Sequence, residues 1–258
     1  MRFIKHWFLN KTALFIAAEN DRKEIFDLLL NQKGVEIGDC AFKDCFPLKE
    51  INIPSTITYI GSKAFWECES LKTVIISSSV KSIGSYAFCM CSSLIEISIP
   101  SSVKTIRNGC FKGCSSLSKV TLSHKLRTIE NFAFKACTSL KSVIIHSKVK
   151  SIGDYVFEDC SSLEKISVPA SVKTIGCGTF INCISLKKFE FPASLTTISA
   201  SLFKGCLSLT FVYVASSVCS IGKDAFDHCS SLEKIKIPTS LQIENTGIDD
   251  KITKVSRY

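Results

Sequence analysis

The chain has 258 residues, of which 46% are hydrophobic and 21% charged, and it carries a formal net charge of +9. This much apolar sequence sustains a buried core, which excludes global disorder. No run of about 18 uncharged apolar residues occurs, so no membrane-spanning helix is expected. In the opening stretch Lys5, His6, Asn10 and Lys11 interrupt any apolar secretion-signal core, and no small-residue cleavage site succeeds it. That stretch is therefore read as part of the fold.

Two short helices are predicted next. Thr12-Ala13-Leu14-Phe15-Ile16-Ala17-Ala18-Glu19 and Lys23-Glu24-Ile25-Phe26-Asp27-Leu28-Leu29-Leu30 flank a turn at Asn20-Asp21. This segment resembles one ankyrin repeat, with Ala13 in place of that family's proline and Phe15 in place of its histidine. A single such unit cannot bury both of its faces. Residues 1–36 are thus expected to form an ankyrin-like helical cap docked on the next part of the chain.

From residue 37 onward the sequence is periodic. Phe42, Phe65, Phe88, Phe111, Phe134, Phe157, Phe180, Phe203 and Phe226 each lie 23 residues from the next. Three residues after each stands a cysteine, from Cys45 to Cys229, and six after each a leucine, from Leu48 to Leu232. In Leu71-Lys72-Thr73-Val74-Ile75-Ile76 the apolar residues alternate, as in a short strand with one face inward. Pro54, Pro100, Pro169, Pro192 and Pro238 end that strand. Gly61, Gly84, Gly153, Gly176 and Gly222 are expected to permit a sharp corner, and each Ala-Phe-x-x-Cys stretch to form one helical turn. One unit has too little apolar surface to fold alone, whereas stacked units share a continuous core.

The run Ser82-Ile83-Gly84-Ser85-Tyr86-Ala87-Phe88-Cys89-Met90-Cys91-Ser92-Ser93-Leu94 through Pro100 resembles the BspA-like class of leucine-rich repeats. The resemblance covers residues 37–243. It implies a right-handed solenoid of the α/β repeat class, about nine turns with parallel strands lining one face. It also implies adhesion or protein recognition, often at the surface of anaerobic bacteria or parasitic protists. Beyond it, residues 244–258 lose the period: Glu244 stands where earlier units have isoleucine. Ile248, Ile252 and Val255 are expected to supply a cap. The polar C-terminal run KITKVSRY carries neither a hydrophobic anchor nor a prenylation box.

Chemistry-bearing residues give no catalytic constellation. His6, His124, His146 and His228 have no recurrent acidic or nucleophilic neighbour, and no P-loop, GxGxxG, HExxH or GxSxG context appears. Nine of the 14 cysteines occupy the repeat column and read as small buried hydrophobes. An odd column cannot pair fully, which with the missing signal favours reduced thiols and a cytoplasmic location; export to the surface by a non-classical route is the alternative. Cys89 and Cys91, Cys110 and Cys114, and Cys40 and Cys45 are close in sequence but form no CxxC pair with a matching second pair. No metal and no cofactor are expected. The lysines are spread along the repeats without a basic run, so nucleic acid is not the expected partner.

The strand face remains. Positions eight and ten after each Phe should point outward: Glu50/Asn52, Thr73/Ile75, Glu96/Ser98, Lys119/Thr121, Ser142/Ile144, Lys165/Ser167, Lys188/Glu190, Phe211/Tyr213 and Lys234/Lys236. Phe211 and Tyr213, with Lys188, Lys234 and Lys236 around them, have the make-up of an interface hot spot. The competing reading is that the C-terminal tail folds back over them. The sequence thus predicts a monomeric, non-enzymatic scaffold that binds a protein through this face. Its alternatives are adhesion to host or matrix, and nucleic-acid or anionic-surface binding through exposed lysines.

Overall fold

The computed structural model describes residues 13–20, 22–32, 35–241, 244–248 and 255–257. It is a solenoid in which every coil contributes one longer strand and most a second strand of two residues. Among the described residues the longer series runs from Glu50–Ile53 to Lys234–Ile237 in nine members. The short series runs from Tyr59–Ile60 to Ser220–Ile221 in eight. All pairings are parallel, and between coils they keep a 23-residue offset: Ile51 faces Val74, Ile97 faces Val120, and Val212 faces Ile235. Strict alternation fixes this register, because a slip by one residue would turn each inward valine or isoleucine to solvent.

The nine repeat phenylalanines are all buried, 0–1% exposed. Their rings stack along the axis with centroids 5.0–5.8 Å apart and planes within 4–17° of parallel. The segment carrying each ring is not a helical turn, contrary to the expectation from sequence. The N–H groups of Cys40, Phe42 and Asp44 donate across to the carbonyls of Ser62, Ala64 and Trp66 in the next coil, at 2.9, 2.7 and 2.8 Å. Those of Ala41, Lys43 and Cys45 close local turns onto Gly38, Cys40 and Phe42. A helix would direct every N–H inside the segment and leave the neighbouring coil without donors. The alternation depends on left-handed backbone: the residues two before and two after every repeat Phe have positive φ, from Cys40 (55°) and Asp44 (60°) to Asp224 (56°) and His228 (59°).

The glycines also act differently from expectation. Gly61, Gly84, Gly153, Gly176 and Gly222 do not adopt positive φ; a Cβ there would lie 2.2–2.4 Å from atoms of the preceding coil. At Gly61, Gly84 and Gly222 the obstructing atoms are backbone. Close approach of coils, rather than a sharp corner, is what these positions serve.

The polar repeat columns bind coil to coil. Eight of the nine repeat cysteines, Cys68 to Cys229, donate their thiol to the carbonyl of the Phe 26 residues earlier, at 2.9–3.2 Å. The hydroxyls of Ser79, Ser171 and Ser217 donate to the carbonyls of Ile57, Val149 and Leu195. The buried thiol column takes a small side chain with a donor, and cysteine supplies one while packing as a hydrophobe.

Both ends of the core are covered. Helix α1 (13–19) and helix α2 (Lys23–Leu30) bury Leu14, Ala17, Ala18, Phe26 and Leu30, and the Phe26 ring lies 5.5 Å from that of Phe42. At the other end the carbonyls of Asn245 and Thr246 accept the N–H groups of Asp224 and Phe226. Val255–Arg257 then returns as a strand beside Lys234–Ile237. Ile248 packs half-buried against the core, whereas Ile252 lies outside the described residues.

Candidate binding face

The longer strands form the face on which sequence places the candidate site. Along them the positions nine and eleven after Phe are buried or half-buried, and those eight and ten after it point outward. Most outward residues are exposed. Ile75 and Ile144, at 58% and 65%, are the large apolar ones among them. Glu96 and Lys119 face each other across neighbouring strands with a 3.6 Å contact, an exposed pair worth little to stability.

Near the C-terminal end, Lys188–Glu190, Phe211–Tyr213 and Lys234–Ile237 lie side by side in one sheet. Register places Phe211 between Lys188 and Lys234, and Tyr213 between Glu190 and Lys236. All five sequence-predicted residues are therefore neighbours, and Glu190 joins them. Phe211 and Tyr213 are half-buried rather than fully exposed. The returning tail does not add its strand next to Phe211: it pairs outside Lys234–Ile237 and extends the face by one strand.

Sequence reasoning missed a groove at the opposite end. A cavity of about 460 Å³ lies between the helix pair and the first coils, lined by Arg22, Phe26, Asp27, Leu48, Glu50 and Ile75 among others. Its walls are Ala17, Ala18 and Phe26 of the helix pair on one side and the first coils' strands on the other. The advance signal for it was slight, the outward residues Asn52 and Ile75 beside a predicted cap.

The buried thiols are held in their neutral, weakly nucleophilic form. Burial pushes Cys45 and Cys89 up to about 11 and Cys229 up to about 12, and raises the rest of the repeat column well above the ordinary thiol range. Among the described residues no group of three or more histidine, cysteine or acidic side chains could hold a metal ion. No described helix is long and apolar enough to cross a membrane.

The BspA type leucine rich repeat region matches the chain over residues 35–164 and 150–248, in six copies. No curated protein matches. Among solved structures, the leucine-rich-repeat protein of T. pallidum is 29% identical, covering 71% of this chain and 77% of its own, with a TM-score of 0.56. The pneumococcal vaccine antigen PcpA is 22% identical over 86% of this chain and 64% of its own, with a TM-score of 0.52, and shares the fold. A leucine-rich cell surface protein of Faecalibacterium prausnitzii is 28% identical over 82% of this chain and 80% of its own, with a TM-score of 0.44. With the repeat columns, the parallel coils and the family match in agreement, the chain belongs to the BspA-type leucine-rich-repeat family.

Proposed function

We propose that this solenoid is a non-enzymatic scaffold that binds a protein partner on its strand-lined face, centred on Phe211 and Tyr213. The observation that carries this reading is the change of residue type in the outward columns. Elsewhere these positions hold charged, small polar or aliphatic side chains, and at one coil alone both are aromatic. Aromatic rings ringed by Lys188, Lys234, Lys236 and Glu190 give apolar contact with a charged rim, the composition of energetically dominant interface residues. The half-burial of both rings favours the role: they are already held in place, so less side-chain freedom is lost on binding. A non-enzymatic reading is supported by the engagement of the repeat-column thiols and of Ser79, Ser171 and Ser217 in coil-to-coil hydrogen bonds.

Affinity capture with nuclease present tests the proposal. Wild type should retain a protein that a Phe211→Ala/Tyr213→Ala variant loses, at a cost of about 2 kcal/mol or more, roughly 30-fold in affinity. Equal capture by both proteins rules the aromatic pair out as the site. Adhesion at a cell surface is the second reading, favoured by membership of the BspA-type family. Protease shaving of intact cells separates it from an intracellular scaffold.

A further inference from the structure

The lysines that form no run in the sequence form one in space. Lys81, Lys104, Arg127, Lys150 and Lys173 each stand seven residues before a repeat Phe, at five successive 23-residue steps. All five are exposed. The backbones of four of them are stacked in register: Arg127 N–H donates to the Lys104 carbonyl, Lys150 to Arg127 and Lys173 to Lys150, each at 2.8 Å, while the Lys81 N–H donates to Thr58 one coil earlier. Parallel coils are spaced about 4.8 Å apart, so the row is about 19 Å long with one cation per step. Among the described residues none of the five has a carboxylate partner; the Lys104 ammonium donates to the Ser101 carbonyl at 2.9 Å. The acids nearest in sequence to Arg127 and Lys150 accept backbone donors instead, Glu130 from the Asn108 N–H and Asp154 from the Cys177 N–H.

A second column runs beside the first. The residue after each cation is Ser82, Thr105, Thr128, Ser151 or Thr174, half-buried or exposed. Among the described residues these hydroxyls have no protein partner, unlike Ser79, Ser171 and Ser217, whose hydroxyls bind the preceding coil. The edge therefore offers a row of cations, one per coil, and a parallel row of available donors, with no aromatic side chain in either column from 81 to 174.

We propose that this edge binds a linear sulfated polysaccharide, with the five cations facing successive sulfate groups and the adjoining hydroxyls donating to sulfate oxygens. Charge complementarity along a row of cations repeated coil by coil selects an extended polyanion, and the fork of Arg127 suits two oxygens of one sulfate. An acidic peptide strand presents like side chains about 6.7 Å apart and falls out of step with the coils. Single-stranded nucleic acid binds where aromatic platforms take its bases, and the row has none. A lipid surface would attract any basic patch equally and has no use for the hydroxyl column.

The probe is heparin, titrated at several salt concentrations against wild type, a Lys104→Ser/Arg127→Ser/Lys150→Ser variant and a charge-matched Lys72→Ser/Lys141→Ser/Lys187→Ser control. Wild type should bind with affinity that falls steeply with salt. The ladder variant should lose at least tenfold and flatten the log–log salt slope by about two to three, by the counterion-release rule. The control should stay within twofold, and desulfated heparin should not bind. All substitutions are at exposed positions, and equal melting temperatures verify folding. Absence of heparin binding, or equal losses in both variants, overturns the proposal. So does ladder-dependent binding of a single-stranded oligonucleotide or phosphatidylserine vesicles as tight as that of heparin, which would reassign the edge to that ligand.

Discussion

Each coil turns on a pair of residues in the left-handed region, and 14 of the 18 such positions flanking the repeat phenylalanines are not glycine. An L-residue there costs about 1–2 kcal/mol, and the coil-to-coil hydrogen bonds offset that cost. Ala136 sits at φ 59° with no side-chain function to lose, so Ala136→Gly should raise stability by up to about 1 kcal/mol in urea denaturation. Gly113, at φ 74°, has the Met90 sulfur 2.2 Å from where a Cβ would sit, so Gly113→Ala should destabilise by about 1–2 kcal/mol. Phe134 lies in the middle of the ring stack, and Phe134→Ala should cost about 3–5 kcal/mol by the same measurement. The Phe, Cys and Leu columns were legible in the sequence because burial restricts which side chains fit. The left-handed positions were not: Lys63, Tyr86, Ala136 and Asp159 share no chemistry, only a backbone conformation, and an Ala-Phe-x-x-Cys spacing fits a helical turn equally well on paper.

The strands were legible for the opposite reason, since alternation of Val74 and Ile76 with Thr73 and Ile75 needs no knowledge of neighbours. Once the period fixed the register, it also placed Lys188, Phe211 and Lys234 side by side. The half-burial of Phe211 and Tyr213 was hidden, because alternation alone does not give the extent of burial. The groove beside α2 was hidden too, because it arises between two unlike elements. Gly84 is required, as its place in the repeat suggests, but the reason lies outside its own coil: the obstruction is the backbone of another. The tail is the element with the sharpest consequence. Removing residues 244–258 takes away the carbonyls that receive Asp224 and Phe226 and bares the edge of Lys234–Ile237. An unpaired parallel edge is a template for association, so the truncated protein should oligomerise in sedimentation velocity and melt earlier. A truncated protein that stays monomeric and equally stable would show that the tail does not cap.

At the scale of the whole solenoid, small contributions repeated in every coil sum, because each coil contacts its neighbours alone and all must stay together. The thiols make this measurable. Eleven of the 14 cysteines are buried and three, Cys40, Cys177 and Cys219, are half-buried or exposed. A thiol reagent should therefore modify at most three in the native protein and the other eleven only on unfolding. All eleven have folded pKa values raised by burial above the ordinary 9.0. For a group raised in the folded state, the stabilisation is fully present below the unfolded pKa and is lost as pH rises through the folded one. The window opens near pH 9 and extends to about 11 for Cys45 and Cys89 and about 12 for Cys229. Inside it each thiol removes about 1.4 kcal/mol per pH unit. Several acting together exceed the marginal stability of a domain, about 5–15 kcal/mol, within one or two units. The solenoid should accordingly hold its melting temperature from pH 7 to 8.5 and unfold cooperatively between about pH 9.5 and 11. Replacing Cys137 by Ala should shallow the slope by one thiol's share while lowering stability at neutral pH. A melting temperature unchanged at pH 11 would show that the column is hydrated and that the coils do not exclude water from their thiols.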